Sequence, residues 1–223
     1  MIVAQPKPME EIARSISDFH KVLVLGCGTC VTVCLTGGDK EAHALARDLA
    51  GGQYFKGKPP TFEVETIERQ CDWDFVKNYL EVPEGCEAIL SLACGAGVQT
   101  LARIFKDLPV IPAQNTTFLG ALVEPGVWKE QCTGCGDCVL AYTAGICPVS
   151  RCAKRLFNGP CGGSSKGKCE INREVDCAWQ LIVDRLTSLN RLEDYEKIHS
   201  PKDWSAGRSG GPRSMARSVN TPY

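Results

Sequence analysis

Eight cysteines lie close together in the second half of the sequence, at a density that an ordinary hydrophobic core does not need. Their neighbours are glycines, prolines and small polar residues, which leave few apolar side chains for packing. This stretch must therefore be held together by disulfides, by zinc or by iron–sulfur clusters. The eight are Cys132, Cys135, Cys138, Cys147, Cys152, Cys161, Cys169 and Cys177.

The spacing of the first three favours an iron–sulfur cluster over zinc. Cys132, Cys135 and Cys138 form C-x₂-C-x₂-C, which in bacterial-type ferredoxins places three thiolates around one cluster. Cys147 precedes Pro148, as does the ferredoxin cysteine that completes a different cluster, but here the gap before it is longer. The pairing of the eight thiols stays open between two four-thiolate sites and one cluster with four structural or zinc-bound thiols.

A second group of cysteines lies in the first half of the chain. Cys27, Cys30 and Cys34 form C-x₂-C-x₃-C in a glycine-rich loop, and Cys94 opens a Cys-Gly-Ala-Gly segment. Three close thiols with a remote fourth are common in cluster sites, whereas structural zinc usually takes paired C-x₂-C units. A cluster is favoured here, with zinc and a reduced thiol loop as the alternatives.

The elements around this second group predict an α/β domain over residues 1 to about 125. Residues 21–25 and 88–93 are continuous aliphatic runs typical of buried strands, and residues 61–67 alternate as a half-exposed strand does. Helical patterns lie between them, so we expect a small doubly wound parallel sheet. Ligands of such sheets bind at the carboxyl ends of the strands, where Cys27, Cys30, Cys34 and Cys94 are all placed.

The rest of the chain divides into a cysteine-rich, loop-rich domain over residues 126–199 and an extended tail over residues 200–223. Apolar residues at helical spacing from Val175 to Leu189 predict a C-terminal helix, with Cys177 inside it near its start. The tail is rich in Gly, Ser, Pro and Arg, which cannot form a core. We expect it to lie along a partner subunit. Cys71 and Cys86 are interpreted as ordinary free thiols.

Composition excludes several classes of function. A chain of 223 residues with 43% hydrophobic content does not need disulfides, and its N-terminus lacks a secretory pattern, so we expect a reducing cytoplasm. Its longest apolar stretch, residues 22–35, is too short to span a bilayer. A net charge of −1 without a basic stripe argues against nucleic-acid binding.

The sequence also lacks a nucleotide fingerprint and a catalytic array. Gly26 and Gly28 begin a G-x-G-x-x-G pattern, but Val31 occupies the third glycine position, so we assign neither NAD nor flavin to this chain. The three histidines lie away from the cysteine loops and are not expected to be ligands. No candidate general base or nucleophile array is present.

Several cysteine motifs together resemble a known family. They are Cys-Thr-Gly-Cys-Gly-Asp-Cys at 132–138, Gly-Ile-Cys-Pro at 145–148, Asn-Gly-Pro-Cys-Gly-Gly at 158–163 and Asp-Cys-Ala-Trp at 176–179. This set resembles the cysteine-rich methylenetetrahydrofolate reductase C-terminal domain. The loop at 26–30 and the Ser-Leu-Ala-Cys-Gly-Ala-Gly segment at 91–97 resemble the rest of the small iron–sulfur subunit of the anaerobic-type reductase.

The resemblance implies a non-catalytic electron-transfer subunit of an oxidoreductase complex. Its partner would be a flavin-containing TIM-barrel subunit that reduces methylenetetrahydrofolate to methyltetrahydrofolate in anaerobic one-carbon metabolism, and its electron donor a ferredoxin or a larger redox complex. The implied cofactors are two or three 4Fe-4S clusters, with zinc as the alternative at one site. The implied ligands are Cys27, Cys30, Cys34, Cys94 and the eight cysteines from 132 to 177.

Two other functions stay open at this point. One is a zinc-stapled scaffold that only stabilises the same complex. The other is a thiol-redox enzyme that uses the C-x₂-C pair Cys27 and Cys30.

Overall fold

The computed structural model describes residues 1–205 and 212–217, which fall into two units, Met1–Lys129 and Glu130–Tyr223. The first unit contains nearly all of the strands. These are β1 (Ile2–Pro6), β2 (Lys21–Cys27), β3 (Thr61–Ile67), β4 (Ala88–Ser91), β5 (Val110–Pro112), β6 (Gln114–Glu124) and β7 (Val127–Cys132). Its helices are α1 (Met9–Ile16), α2 (Cys30–Val33), α3 (Asp39–Ala50), α4 (Trp73–Tyr79) and α5 (Gly95–Ile104).

Four strands form the predicted parallel sheet, in the order β3-β2-β4-β5. Residues 22–25 of β2 and 88–90 of β4 are aliphatic and fully buried, because helices cover the two faces of the sheet. On one face, α1 and α3 pack against Val22, Val24 and Leu90. On the other face, α4 and α5 pack against Leu23 and Ile89. The predicted doubly wound α/β fold is confirmed.

The strand order creates a crevice between β2 and β4. The chain passes from β2 to β3 on one side and then returns to place β4 on the other side of β2. At such a reversal the two crossovers leave in opposite directions, which opens a gap at the carboxyl ends of the two strands. The first unit therefore offers a ligand position between the ends of β2 and β4.

A second sheet, in the order β1-β6-β7, was not predicted. No strand was predicted over residues 116–131, a region that contains most of β6 and β7. The N-terminal strand β1 pairs antiparallel with β6, and Ile2 lies opposite Leu119. The hairpin turn between β6 and β7 contains Gly126 at φ 79°, a conformation that favours glycine.

The second unit has little regular structure. Its helices are α6 (Pro148–Arg151), α7 (Ala178–Ser188) and α8 (Glu193–Glu196). The predicted C-terminal helix corresponds to α7, but Cys177 is the N-cap of this helix and does not lie inside it. The buried apolar cluster around α7 comprises only Ala144, Trp179, Ile182 and Leu186. Among the described residues, no helix is long and apolar enough to cross a bilayer.

Candidate metal centres

Four of the predicted ligands lie at the carboxyl edge of the parallel sheet. Cys27 is the last residue of β2, Cys30 is the first residue of α2, and Cys34 is the C-cap of that short helix. Cys94 is the N-cap of α5, shortly after β4. Because β2 and β4 are neighbours, Cys27 and Cys94 both lie at the crevice where the strand order reverses.

The loop that carries the first three thiols is closed by its own hydrogen bonds. The Cys27 N–H donates to the Gly37 carbonyl at 2.8 Å, and the Thr32 hydroxyl donates to the Cys27 carbonyl at 2.7 Å. The Gly37 N–H in turn donates to the Val31 carbonyl at 3.2 Å. Side chains outside the loop add to these bonds, since Gln114 Nε2 donates to the Thr36 carbonyl at 2.7 Å and Gln70 Nε2 to the Gly26 carbonyl at 2.9 Å.

Cys34 is almost fully buried, as is Cys27, and its thiol has a hydrogen-bond partner outside the loop. Its Sγ donates to the carbonyl oxygen of Ile2 at 3.3 Å, which links the loop to β1. Burial raises the pKa of the Cys34 thiol, a backbone hydrogen bond from Ala4 lowers it, and the nearby Cys30 thiolate raises it again. Cys34 is therefore a buried thiol that is hydrogen-bonded to β1.

Cys71 also lies at the carboxyl edge of the parallel sheet, although from the sequence it is interpreted as an ordinary free thiol. It follows the end of β3 and lies near two of the predicted ligands. Desolvation raises the pKa of the Cys71 thiol, and charge interactions with Cys94 and Cys27 raise it further. A signal was available in the sequence, because Cys71 follows a predicted strand of the same parallel sheet.

In the second unit, the C-x₂-C-x₂-C motif forms a tight loop directly after β7. Cys132 is the last residue of that strand. Gly134 and Gly136 have φ values of 63° and 92°, so the loop turns sharply between the thiols. The Gly134 N–H donates to Cys132 Sγ at 3.3 Å, a contact that stabilises a thiolate. The three cysteines of the motif are thereby placed on one short turn.

Cys147 and Cys152 bracket the short helix α6. Cys147 is its N-cap and Cys152 its C-cap, with Pro148 at the first helical position. The Ser150 hydroxyl donates to the carbonyl oxygen of Gln131 at 3.1 Å. Since Gln131 immediately precedes Cys132, this hydrogen bond joins α6 to the start of the C-x₂-C-x₂-C loop.

The remaining four cysteines surround one small cavity. Its volume is about 20 Å³, and its lining also contains charged side chains and the indole of Trp179. A space of this size holds about one water-sized sphere. The pairing of the thiols into sites stays a prediction, but four of them line this one cavity. They are Cys152, Cys161, Cys169 and Cys177.

Backbone hydrogen bonds define the positions of the thiols around this cavity. The Cys177 N–H donates to the Gly167 carbonyl at 2.8 Å, and the Cys169 N–H donates to the Val175 carbonyl at 2.9 Å. The Gly163 N–H donates to the thiol of Cys161 at 3.4 Å. These contacts fold the loops over residues 161–177 around the start of α7.

A cation lies beside the same cavity. The ammonium group of Lys154 donates a hydrogen bond to the carboxylate of Glu170. This hydrogen bond raises the pKa of the Lys154 ammonium, and the nearby Cys161 thiolate raises it further. Lys154 thus places positive charge where a group of thiolates would accumulate negative charge.

Part of the predicted tail contacts the C-x₂-C-x₂-C loop of its own unit. The Lys202 ammonium donates to the Asp137 carbonyl, and the Asp203 N–H donates to Asp137 Oδ2 at 2.9 Å. Arg213 Nη1 donates to the Gly134 carbonyl at 3.0 Å. Residues 206–211 and 218–223 of the tail lie outside the described residues, and the expected contact with a partner subunit stays a prediction.

The cysteines lie in groups, but within the described residues their thiols are not positioned as the ligands of a metal ion. In residues 1–205 and 212–217, no group of three or more His, Cys, Asp or Glu side chains is arranged to hold a metal ion. The donor set nevertheless fits a thiolate-bound metal, because Cys94 and Cys177 begin helices whose N-termini stabilise negative charge. The histidines have other neighbours, namely Glu87 for His20, Asp39 for His43 and Tyr142 for His199.

Comparison with known families relates the C-terminal part of the chain to one of them. Residues 111–205 match the model of a family described as "Methylene-tetrahydrofolate reductase C terminal". The matched region contains all eight cysteines of the second group and the helices α6, α7 and α8. A search of curated proteins and a search of solved structures each found no match.

Proposed function

We propose that this chain is the iron–sulfur electron-transfer subunit of a methylenetetrahydrofolate reductase complex. In this role it delivers electrons to the flavin of a partner TIM-barrel subunit, which reduces methylenetetrahydrofolate to methyltetrahydrofolate. The observation that carries the proposal is the grouping of the cysteines into sets large enough for four-thiolate sites, within and beside a segment that matches the reductase family.

Three sites follow from this grouping. Cys27, Cys30 and Cys94 hold one 4Fe-4S cluster at the edge of the parallel sheet, with Cys34 as the fourth thiol expected from the sequence. The second cluster lies in the C-x₂-C-x₂-C loop of the second unit. Its fourth ligand is Cys147, because the Ser150 hydrogen bond holds α6 beside Gln131.

The third site is assigned to zinc. Its four thiols line one cavity, and four cysteines are a common ligand set of a structural zinc ion. Lys154 offsets part of the negative charge that four thiolates would place there. The proposed complement is therefore two 4Fe-4S clusters and one zinc ion.

The clusters supply one-electron transfer when bound, and the protein's own residues set their environment. The Gly134 N–H points at Cys132 Sγ and lowers the cost of negative charge on that sulfur. At the sheet edge, the buried Cys27 excludes water from one side of the site. Reduction of the folate is assigned to the partner, since this chain contributes neither a general base nor a nucleophile to the proposal.

The electron donor is proposed to be a ferredoxin or a larger redox complex, and the compartment the cytoplasm. The donor is proposed from the resemblance to the reductase family, and the compartment from the thiols, which must stay reduced to bind iron. An anaerobic setting would also protect the clusters from oxidation.

Anaerobic purification followed by metal analysis tests the proposal. We expect about eight iron atoms, a matching amount of acid-labile sulfide and about one zinc ion per chain. The reduced protein should show the electron paramagnetic resonance of 4Fe-4S clusters and should reduce the flavin of the partner subunit. A colourless protein that carries only zinc would instead support a scaffold role, which the small cavity lined by four cysteines also allows.

A further inference from the structure

We propose that Cys71 is a metal ligand, which shares the site of Cys27 and Cys94 and takes the position expected for Cys34. This inference deepens the proposed function and rests on it, because it identifies the fourth thiol of the cluster at the sheet edge. Three contacts of the loop after β3, with the ends of β2 and β4 and with the first turn of α5, support this assignment.

The first attachment is to the end of β2. The Gly28 N–H donates to the Ile67 carbonyl at 2.9 Å, so the ladder between β2 and β3 continues beyond the last paired residues. Cys27 Sγ then lies 3.9 Å from the carbonyl oxygen of Glu68. A Cβ atom on Gly28 would lie 3.2 Å from the Glu68 Cα, which shows how closely the two segments approach. The chain leading to Cys71 therefore begins beside the Cys27 thiol.

The second attachment fixes the residue directly before Cys71. The Gln70 side chain is fully buried, and its Nε2 donates to the carbonyl oxygens of Leu25 and Gly26, both at 2.9 Å. Its Oε1 accepts a hydrogen bond from the Ser91 hydroxyl at 2.6 Å. Gln70 thus bridges the carboxyl ends of β2 and β4, and Cys71 must leave from a point between them.

The third attachment is to the first turn of α5. A Cβ atom on Gly97 would lie 2.9 Å from the Gln70 Cβ and 3.5 Å from the Gln70 carbonyl carbon, so only a glycine admits this contact. Because Cys94 is the N-cap of the same helix, the contact brings the chain at Cys71 to the turn that Cys94 begins. Cys71 lies within electrostatic range of both Cys94 and Cys27.

Binding a metal would require different changes at Cys71 and at Cys34. The thiol of Cys34 is only 3% exposed and donates to the Ile2 carbonyl, a hydrogen bond that is lost when the sulfur becomes a thiolate. Cys71 is exposed. Cys71 can therefore approach a metal without breaking the link between the cysteine loop and β1.

Thiol labelling of the wild-type holoprotein tests this assignment. The anaerobically purified protein is treated with N-ethylmaleimide before and after metal removal by a chelator, and each cysteine is quantified by mass spectrometry. Although Cys71 is exposed, we expect it to resist labelling until the metal is removed. Cys86 precedes β4 at the opposite end of the sheet, and its labelling should not depend on metal. Cys71 that reacts fully while the metal content stays unchanged would overturn the inference.

Matched serine variants provide a second test. Cys71→Ser is expected to lose about four iron atoms per chain with the corresponding sulfide, whereas Cys34→Ser keeps them. The reverse result would show that Cys34 is the ligand. If Cys71→Ser does not fold, the labelling of the wild-type protein still decides the question.

Different results would contradict the electron-transfer role and the assignment of Cys71 as a ligand. A protein that contains both clusters but leaves Cys71 reactive contradicts only the assignment of Cys71. A protein that contains zinc alone, with Cys71 protected until the zinc is removed, contradicts the electron-transfer role and supports Cys71 as a ligand. A protein that binds no metal overturns both.

Discussion

The fully buried hydroxyl of Ser91 donates a 2.6 Å hydrogen bond to the side-chain oxygen of Gln70, which joins the end of β4 to the loop after β3. The Ser91 oxygen also accepts a hydrogen bond from the Ala93 N–H at 3.2 Å. Ser91→Ala leaves both of these buried groups without a partner. We expect the free energy of unfolding to fall by about 1–3 kcal/mol, measured by urea denaturation of the metal-free protein.

An exposed glutamine provides the control for this prediction. Gln99 donates to the Gly95 carbonyl on the surface of α5, and Gln99→Ala should change the free energy of unfolding by less than about 0.5 kcal/mol. If Ser91→Ala lowers the free energy of unfolding as little as Gln99→Ala does, the hydrogen bond between Ser91 and Gln70 does not contribute to stability.

Gly97 and Gly95 form a matched pair in the first turn of α5. A Cβ atom on Gly97 would lie 2.7 Å from the Ala93 Cβ and 2.9 Å from the Gln70 Cβ, whereas the nearest atom to one on Gly95 is 3.5 Å away. Gly97→Ala should therefore lower the free energy of unfolding by about 1–2 kcal/mol through overpacking, despite the better helix propensity of alanine. Gly95→Ala should leave it unchanged or slightly higher. Equal effects of the two substitutions, again in urea denaturation, would contradict the close packing.

Metal removal should affect the two units differently. The second unit has one small apolar cluster around Ile182 and Leu186, while the first has two larger ones on the faces of its sheet. A domain with so little apolar core depends on its metals to stay folded. After chelation, amide hydrogens of α7 should exchange rapidly while those of β2 and β4 stay protected. The holoprotein in the same buffer is the control, and a protected α7 in metal-free protein would contradict the prediction.

Cys86 gives a pH-dependent prediction that does not involve the proposed ligands. Burial raises the pKa of the Cys86 thiol, with Lys21 lowering it and Glu63 raising it. Its iodoacetamide labelling rate should still be rising at a pH where the rate of an exposed cysteine has levelled off. Lys21→Met should raise this pKa further, and Glu63→Gln should lower it. Site-resolved mass spectrometry measures the labelling rate of Cys86 in the wild type and in both variants across pH 7–11. Identical rate profiles for the three proteins would contradict the prediction.

The sign of the effect on stability follows from the same shift. Because the pKa of Cys86 is higher in the folded protein, the neutral thiol is the form that folding favours. Its contribution to stability is fully present below the unfolded-state pKa and is lost as the pH rises through the folded-state pKa. Cys86→Ala should therefore reduce the alkaline loss of stability.

The parallel sheet was predictable because its signals are local. The aliphatic runs of β2 and β4 and the alternation of β3 each lie within a few consecutive residues. The sheet of β1, β6 and β7 was missed because its pairing is not local. Ile2 pairs with Leu119, which lies far away in the sequence. No local sequence pattern in either strand identifies its partner.

The placement of Cys27 and Cys94 was also predictable, because a residue that ends a buried strand lies at a known edge of the sheet. Cys71 was missed because its position depends on Gln70, whose three side-chain hydrogen bonds reach β2 and β4. The partition of the later cysteines depends in the same way on loop contacts such as that of Ser150 with Gln131. Cysteine spacing alone does not encode these contacts.

The pairing of β1 with β6 has a consequence for the order of events during protein synthesis. On the ribosome β1 emerges first, but its partner emerges only after every strand of the parallel sheet. Until then β1 is an unpaired edge, and the carbonyl of Ile2 is not held in place to accept from Cys34. The hydrogen bond that links the cysteine loop to β1 therefore forms only after every strand of the parallel sheet has been synthesised.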